Sequence, residues 1–228
     1  RPSDEVIVID DGSTDGTQEI LTGWQDRLPL MIITNTENIE LAKSLNLGIT
    51  VTDANYIARI DADDVWDAKK LEKQFAFLEQ HPEVGVVGTW YVNRRGQQVQ
   101  QVQLPSSDAA IKHRMWQRNP FGHSCVVIKR ELLEQVSGYD ESLRYAQDRD
   151  LWFKLLPHTT FTNLPEYLVT RTVSPTNIKK QREQMRTNIR LILKYARLYK
   201  PNPLAYLGLI EPALLYLYRS FQSRKPFP

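Results

Sequence analysis

Strands and helices alternate over the first 92 residues, and this alternation limits the possible folds more than any other feature of the chain. The predicted strands are short and rich in branched apolar residues, at 6–9, 30–34, 56–60 and 84–92. The segments between them carry apolar residues at helical spacing, around 20–24, 40–51 and 68–80. Strands that alternate with helices across short connections usually form a parallel sheet covered by helices. We therefore predict a Rossmann-like α/β fold with a mostly parallel sheet and helices on both faces.

The regular alternation ends near residue 93, and the chain beyond residue 176 is predicted to be helical. Residues 177–199 are amphipathic with a basic stripe, whereas residues 204–221 are apolar nearly all round. A helix that is apolar on every side is buried in protein or touches lipid. Residues 204–225 therefore pack against protein, or lie on an anionic membrane surface with their basic residues at the headgroups. We divide the chain into a domain at 1–175 and a helical extension at 176–228.

The composition is that of a soluble globular protein, and it excludes several functional classes. Hydrophobic residues make up 41% of the 228 residues, which is enough for a core. A net charge of +2 gives no electrostatic basis for binding nucleic acid, so no nucleic-acid partner is expected. Cys125 is the only cysteine, which excludes an intrachain disulfide and suits a reducing compartment. We predict a cytoplasmic location, with peripheral contact at the inner face of the membrane as an open alternative.

An acid cluster follows the predicted strand at 56–60. It consists of Asp61, Asp63 and Asp64. Carboxylates this close repel one another, and burying them unpaired is costly, so they favour solvent or a hard divalent cation with oxygen ligands. In α/β sheets, ligands bind beyond the carboxyl ends of strands, which is where this cluster stands. The alternative is a polar turn in which Asp67 caps the helix that follows.

A second acidic loop follows the first strand. Residues 10–17 combine glycines with small polar and acidic side chains, as expected for a tight strand-to-helix connection. The residue types at 11–16 also match the first half of a calcium-binding EF-hand loop. That interpretation fails, because an EF-hand needs a Glu where Thr22 stands and a helix where the first strand stands.

A third acidic group, at 148–150, stands where a helix is predicted to begin. The helix dipole stabilises negative side chains at this position, so Asp148 has a purely structural explanation. The Asp148 carboxylate could also act as a general base, and it belongs to a different element from residues 61–64.

Together these segments resemble family 2 glycosyltransferases of the GT-A fold. The similar motifs follow one another in the family's order, at 6–17, 40–49, 60–64, 119–124, 138–140 and 146–152. Residues 61–63 resemble the family's DxD motif, and residues 147–148 resemble its ED motif, with Gln147 in place of the usual Glu. Each motif alone is weak, but their order and spacing over residues 5–172 are specific.

The resemblance implies a nucleotide-sugar site in the first part of the chain. Asp11 would hydrogen-bond the uracil of a UDP-sugar, with Asp10 nearby. Lys43 would lie near the base or the diphosphate. Asp61 and Asp63 would reach the ribose and the metal.

The resemblance also implies a cofactor and a catalytic base. Either Asp63 or Asp64 would be the main ligand of a Mn²⁺ or Mg²⁺ ion. Asp148 would be the base. Further side chains are expected on the acceptor side of the site, namely His123, Gln147 and Trp152.

The chemistry that follows is a single displacement. A metal would neutralise the leaving diphosphate, and a carboxylate on the opposite face of the sugar would deprotonate the acceptor hydroxyl. We therefore predict an inverting, metal-dependent glycosyltransferase that moves a sugar from a nucleotide-sugar, preferably a UDP-sugar, to a saccharide or lipid-linked acceptor.

Two alternatives remain at this point. Relatives begin with a further strand and helix, and the chain opens at Arg1 without an initiator Met, so we expect that an N-terminal segment is missing. An inactive fragment or a saccharide-binding module is therefore the first alternative. The second is a sugar nucleotidyltransferase, although the phosphate loop of those enzymes is basic where residues 11–16 are acidic.

Overall fold

The structure is a computed structural model that describes residues 5–25, 27–174 and 178–200. In chain order its elements are β1 (Val6–Asp10), α1 (Thr17–Gln25), β2 (Leu30–Thr34), α2 (Leu41–Thr50), β3 (Tyr56–Ala58), β4 (Val65–Trp66), α3 (Lys70–Gln80), β5 (Val84–Arg95), β6 (Gln98–Val102), α4 (Asp108–Met115), a 3₁₀ turn (His123–Cys125), β7 (Val127–Lys129), α5 (Arg130–Gln135), α6 (Gln147–Leu155), β8 (Thr160–Thr172) and α7 (Ile178–Tyr199).

The strands of the described residues form two sheets. β1 and β2 pair in parallel as a separate two-stranded sheet. Over the described residues, the second sheet has six strands in the order β3-β7-β5-β8-β4, with β6 paired to β5. Within this sheet β5 and β8 run parallel, and the other pairs are antiparallel. The predicted α/β class is confirmed, but the sheet is mixed rather than mostly parallel.

The difference arises after residue 93, where hydrophobic periodicity does not specify which strands will pair. β5 continues to Arg95 and turns back at Gly96, whose φ of +57° suits a tight turn, so β5 and β6 form an antiparallel hairpin. β7 then lies between β3 and β5, antiparallel to both. The strands after β5 therefore set the mixed character of the sheet.

β8 is one long strand of 13 residues. It passes through Pro165, which has no N–H to donate, and its register against β5 changes there. Leu164 pairs with Thr89, whereas Tyr167 pairs with the next residue, Trp90. An irregularity of this kind lets a strand continue past a proline. As a result, β8 reaches the acid cluster with its C-terminal end.

The main core gathers around α6 and includes α7. Trp152 and Phe153 of α6 are fully buried, and they share one apolar cluster with Ile192 and Tyr195 of α7. The Tyr195 hydroxyl also donates to a buried Asp150 carboxylate oxygen at 2.8 Å. The domain boundary near residue 175 stays a prediction, while α7 contributes to the core of the first part of the chain.

The membrane prediction concerns residues that the structure does not describe, because residues 204–225 lie outside its range. Among the described helices, none combines the length and the apolar character that a membrane span requires.

Candidate active site

The three predicted acids of the cluster lie together in the loop between β3 and β4. One carboxylate oxygen from each of Asp61, Asp63 and Asp64 lies within 4.8 Å of the others. The loop is closed by a turn in which the Asp64 N–H donates to the Asp61 carbonyl at 3.0 Å. Three acids on one short turn concentrate negative charge beyond the end of β3.

Asp61 is held by a buried arginine and by a serine. Arg59 forms an ion pair with the Asp61 carboxylate, including a hydrogen bond from Nη1 to Oδ2 of 2.8 Å. The Asp61 N–H donates to Ser124 Oγ at 3.0 Å. Arg59 therefore balances one of the three negative charges, and Ser124 fixes the backbone that carries it.

Asp64 is buried and joins the cluster to the end of β8. Its Oδ1 accepts a hydrogen bond from the Thr172 N–H at 2.9 Å. Its Oδ2 lies 3.8 Å from Arg171 Nε and has no hydrogen-bond donor among the described residues. The Arg171 guanidinium also lies over the Tyr91 ring, 4.9 Å from the centroid. Asp64 therefore has a structural bond on one oxygen and an unsatisfied second oxygen.

Asp63 differs from its neighbours because its side chain is exposed. Its backbone carbonyl accepts a hydrogen bond from Thr172 Oγ1 at 2.5 Å. Within the described ranges, no side chain or backbone donor bonds to its carboxylate. The fixed backbone thus presents a free carboxylate at the mouth of the cluster.

Asp11 is an immobilised acceptor beside the end of β1. Its Oδ1 accepts hydrogen bonds from Asn35 Nδ2 at 2.9 Å and from the Ile39 N–H at 3.0 Å. Partial burial alone would raise the pKa of Asp11, but these hydrogen bonds outweigh it and hold the pKa below its usual value. Asp11 is therefore an ionised, oriented carboxylate, as recognition of a base N–H requires.

Asp10 and Lys43 occupy different positions around Asp11. Asp10 is buried, and its Oδ1 accepts from the Ser13 N–H at 3.0 Å. Hydrogen bonds from Ser13 lower its pKa, and its Oδ2 has no partner among the described residues. Lys43 is exposed on α2, one residue before Ser44, whose hydroxyl lies 3.4 Å from Asn35 Nδ2. Asp10 shapes the turn, and Lys43 is exposed on the helix that also carries Ser44.

Asn46 ties α2 to the turn that carries the motif at 138–140. Its Oδ1 accepts from the Tyr139 N–H at 2.8 Å, and its Nδ2 donates to the Tyr139 carbonyl at 3.0 Å. Gly138 has a φ of +62°, and a Cβ there would lie 2.4 Å from Asn46 Oδ1. This glycine is therefore required both by the backbone conformation and by the close approach of Asn46.

Asp148 lies in the first turn of α6 and is partly exposed. Its Oδ1 accepts from the Arg149 N–H at 2.8 Å. Its Oδ2 accepts a short hydrogen bond from Asn119 Nδ2. The residue before the motif, Ala146, is buried with a left-handed φ of 59°, a conformation that is unfavourable for a residue with a Cβ. The start of α6 is thus a constrained position that presents Asp148.

One loop joins the two halves of the site. At its first residue, Asn119 bonds to Asp148, and five residues later Ser124 bonds to Asp61. The loop itself is buried from residue 120 to residue 125. Gly122 allows this packing, because a Cβ there would lie 2.7 Å from Cys125 Sγ. The relative positions of the acid cluster and Asp148 are therefore set by a short, densely packed segment.

The predicted acceptor-side residues lie mostly beneath the site surface. His123 is buried, its Nε2 lies 2.8 Å from the Tyr139 hydroxyl, and burial holds its pKa well below the usual value. Gln147 is buried at the start of α6. Trp152 is fully buried, and its Nε1 donates to Asn119 Oδ1 at 3.0 Å. Among the described residues, Trp152 is linked to Asp148 through Asn119.

A buried lysine packs against the tryptophan of β4, which follows the acid cluster in the chain. Lys70 is fully buried, its Nζ lies 4.0 Å from the centroid of the Trp66 ring, and it has no hydrogen-bond partner among the described residues. Burial lowers the pKa of Lys70 to about 7. Trp66 in turn donates from Nε1 to the Ser124 carbonyl at 2.7 Å. The nearby Cys125 thiol is also buried, which raises its pKa to about 11 and makes it a poor nucleophile.

Replacing Lys70 with Met is expected to stabilise the fold, and to do so in a pH-dependent way. In the wild type, between pH 7 and pH 10.5, the unfolded state binds the Lys70 proton and the folded state does not. The unfolding free energy of the wild type therefore rises with pH in this window. At pH 6, Lys70→Met should gain about 2–3 kcal/mol, because the desolvation penalty is removed and a cation–π contact is lost. The gain should shrink towards pH 10. Urea denaturation at pH 6 and pH 9.5 measures it, with exposed Lys69→Met as the control. A loss of stability at pH 6 would contradict it.

Several residues of the site were not predicted from the sequence. Arg59 left a usable signal, because a charge on an otherwise apolar strand requires a carboxylate partner, and Asp61 is two residues away. Asn35 left none, since polar side chains are ordinary in loops. Asn119 and Ser124 belong to the motif at 119–124 that resembles the family, but the sequence assigned neither of them a partner.

The fold matches that of GT-A glycosyltransferase structures. The crystal structure of S. aureus TarS residues 1–349 in complex with UDP-GlcNAc has a TM-score of 0.69 at 19% identity, covering 96% of this chain and 64% of that one. The mannosyltransferase PcManGT from Pyrobaculum calidifontis, in complex with GDP-Man and Mn²⁺, has a TM-score of 0.62 at 20% identity, covering 98% and 67%. At these identities the likeness establishes the fold alone.

Sequence comparison identifies the family. A family model described as glycosyl transferase family 2 matches residues 1–137. The amylovoran biosynthesis glycosyltransferase AmsE of Erwinia amylovora is 29% identical over 232 residues, covering 98% of this chain and 84% of the relative. The UDP-Gal:alpha-D-GlcNAc-diphosphoundecaprenol beta-1,3-galactosyltransferase of Escherichia coli is 26% identical over 208 residues, covering 89% and 74%. The chain belongs to glycosyl transferase family 2, as its motifs predicted, and it is a glycosyltransferase.

Proposed function

We propose that the protein is an inverting, metal-dependent glycosyltransferase that uses a UDP-sugar and a saccharide or lipid-linked acceptor. The observation that carries this proposal is the split arrangement of its acids. Asp63 presents a free carboxylate in a cluster beyond β3, while Asp148 stands on α6 and is joined to that cluster through the 119–124 loop. Leaving-group stabilisation and acceptor deprotonation need two such separate groups.

The acid cluster fits a divalent cation. Its donors are carboxylate oxygens, the ligand type that Mn²⁺ and Mg²⁺ take, and one of them, Asp64 Oδ2, is buried without a hydrogen-bond donor among the described residues. Asp63 would be the main ligand, because its carboxylate is exposed and unpaired, and Asp64 would support it through Oδ2. A bound cation would supply charge neutralisation for the leaving diphosphate.

The remaining site residues divide into a donor side and an acceptor side. Asp11 would accept from the uracil N–H, and Lys43 would lie near the diphosphate. Asp61, paired with Arg59, would serve the ribose and hold the turn of the cluster. Asp148 would accept the proton of the acceptor hydroxyl as that oxygen attacks the anomeric carbon from the opposite face, which inverts it.

The names of similar proteins support the choice of donor and acceptor. Relatives or fold neighbours are described with UDP-Gal, with UDP-GlcNAc and with GDP-Man, so the nucleotide-sugar class is the common element. The Escherichia coli relative is described with a diphosphoundecaprenol acceptor, and AmsE with amylovoran biosynthesis. We extend this to a lipid-linked or polysaccharide acceptor, at the cytoplasmic face of a membrane that residues 204–225 would contact peripherally.

Titration calorimetry with UDP and Mn²⁺ tests the donor side. We expect UDP to bind at least about tenfold more tightly with Mn²⁺ than without it, because Asp63 and Asp64 would hold a cation whose positive charge offsets the negative charge of the diphosphate. GDP is the comparison nucleotide, since guanine also offers N–H donors to Asp11. Tighter binding of GDP would reassign the donor base, and a lack of binding of either nucleotide with Mn²⁺ would overturn the proposal.

A further inference from the structure

The Asn119 amide has an orientation that its neighbours determine. Its Oδ1 lies 3.0 Å from Trp152 Nε1 and 3.3 Å from the Phe121 N–H. Both of these groups can only donate, so the atom facing them must be the amide oxygen. The amide nitrogen consequently points at Asp148 Oδ2, with which it forms a short hydrogen bond.

This contact is the one bond to Asp148 that comes from outside its own helix among the described contacts. The other oxygen, Oδ1, accepts from the Arg149 N–H at 2.8 Å, a bond within the first turn of α6. A carboxylate that is bonded only within its own turn can still change its side-chain rotamer. A second donor from a packed loop restricts that change. Trp152 is fully buried, so its side chain is held in place by the core. It therefore fixes the Asn119 amide, which in turn bonds to Asp148.

We propose that Asn119 is the positioning residue of Asp148, acting as an obligate donor whose amide is locked by Trp152. This inference rests on the proposed role of Asp148 as the base. The amide holds the carboxylate in the orientation that receives the acceptor proton, and it leaves the donor-sugar side of the site untouched. A base misplaced by about 1 Å can lose on the order of 100-fold in rate, so a donor at this position has a large effect on turnover.

The same loop offers an internal comparison, because Ser124 acts on the other half of the site. Its Oγ accepts from the Asp61 N–H at 3.0 Å, and its carbonyl accepts from Trp66 Nε1 at 2.7 Å. Asn119 and Ser124 are in one packed segment, so general damage to the loop would affect both halves of the site together. If Asn119 specifically positions Asp148, its variants should change turnover without changing UDP binding.

The decisive variant is Asn119→Asp, which keeps the shape of the side chain, replaces the donor by an acceptor and places a second negative charge beside Asp148. UDP release from UDP-GlcNAc and UDP-galactose, with water as acceptor, reports turnover, and calorimetry with UDP and Mn²⁺ reports donor-side binding. We expect Asn119→Asp to lower kcat by about 10- to 100-fold with UDP affinity within about twofold of wild type. Ser124→Ala should show the reverse, a weaker UDP affinity with a smaller change in kcat. Asn55→Asp, an exposed change at the other end of β3, controls for added charge.

Trp152→Phe tests the hydrogen bond that fixes the Asn119 amide, because it removes the Nε1 donor and keeps an aromatic ring in the core. Its kcat should fall in the same direction as that of Asn119→Asp, again with UDP affinity preserved. If Asn119→Asp does not fold, Asn119→Ala carries the same expectation. Wild-type kcat in the Asn119 variants, or an equal loss of UDP affinity in the Asn119 and Ser124 variants, would overturn the inference. If wild type releases UDP but Asp148→Asn does so equally well, it is the base assignment that fails, and this inference fails with it.

Discussion

Replacing Asp148 with Asn is expected to lower kcat for glycosyl transfer or donor hydrolysis by a factor of about 10³, with UDP and Mn²⁺ still bound as in the wild type. The amide cannot accept the acceptor proton, and general-base catalysis is typically worth 10²- to 10⁴-fold. The variant keeps the shape of the side chain, so the contact with Asn119 is still possible through the amide oxygen. Steady-state UDP release and calorimetry separate turnover from binding.

The matched control for this prediction is Asp108→Asn. Asp108 is another acid in the first turn of a helix, α4, and it accepts a hydrogen bond from the Phe161 N–H at 2.9 Å. If Asp148 served only the helix dipole, both variants would lose stability alone, by about 1 kcal/mol or less, and both would keep kcat. Retained turnover in Asp148→Asn would end its assignment as the base.

Asp63→Asn is expected to abolish the effect of Mn²⁺ on UDP affinity while leaving the melting temperature unchanged. The carboxylate is exposed and unpaired within the described part of the chain, so the fold does not depend on it. A neutral amide oxygen is a much weaker ligand for a hard divalent cation, so we expect at least a tenfold loss of Mn²⁺-dependent UDP binding. Calorimetry at fixed UDP and varied Mn²⁺ gives the result directly.

Two comparisons make this second prediction specific. Asp53→Asn removes an exposed acid before β3, at the opposite end of that strand from the cluster, and should change neither binding nor stability. Asp64→Asn removes a buried carboxylate that bonds to Thr172 and lies beside Arg171, so it should lower stability by about 1–3 kcal/mol as well as weaken binding. A Mn²⁺ effect that survives in Asp63→Asn but is lost in Asp64→Asn would exchange the two roles.

The acids themselves could be predicted from the sequence because their proximity is local. Asp61, Asp63 and Asp64 stand within four residues of one another and meet within one turn. The alternation that predicts β1 through α3 is local in the same sense, since apolar periodicity reports which face of each element is buried. The start of the helix that carries Asp148 can be predicted in the same way, from its acidic residues and the apolar residues that follow them.

The supporting contacts could not be predicted, because they join residues that are far apart in the chain. Ser124 lies 63 positions from Asp61, and Thr172 lies 108 positions from Asp64. Each of these is an ordinary polar residue in its own sequence context. Their partners depend on β7 and β8 entering the sheet beside β3, β5 and β4, which hydrophobic periodicity does not determine.

The sequence by itself thus determined the class of fold, the family and the two groups of acids, because each depends on patterns within a few turns of chain. Only the tertiary structure decided that the sheet is mixed, that Arg59 balances Asp61 while Asp63 stays unpaired, and that Asn119 directs its amide at Asp148. The physical reason is that charge pairing and amide orientation depend on which groups meet in space. Which groups meet depends on the order of the strands and on the dense packing of residues 120–125. Neither can be deduced from a short stretch of sequence.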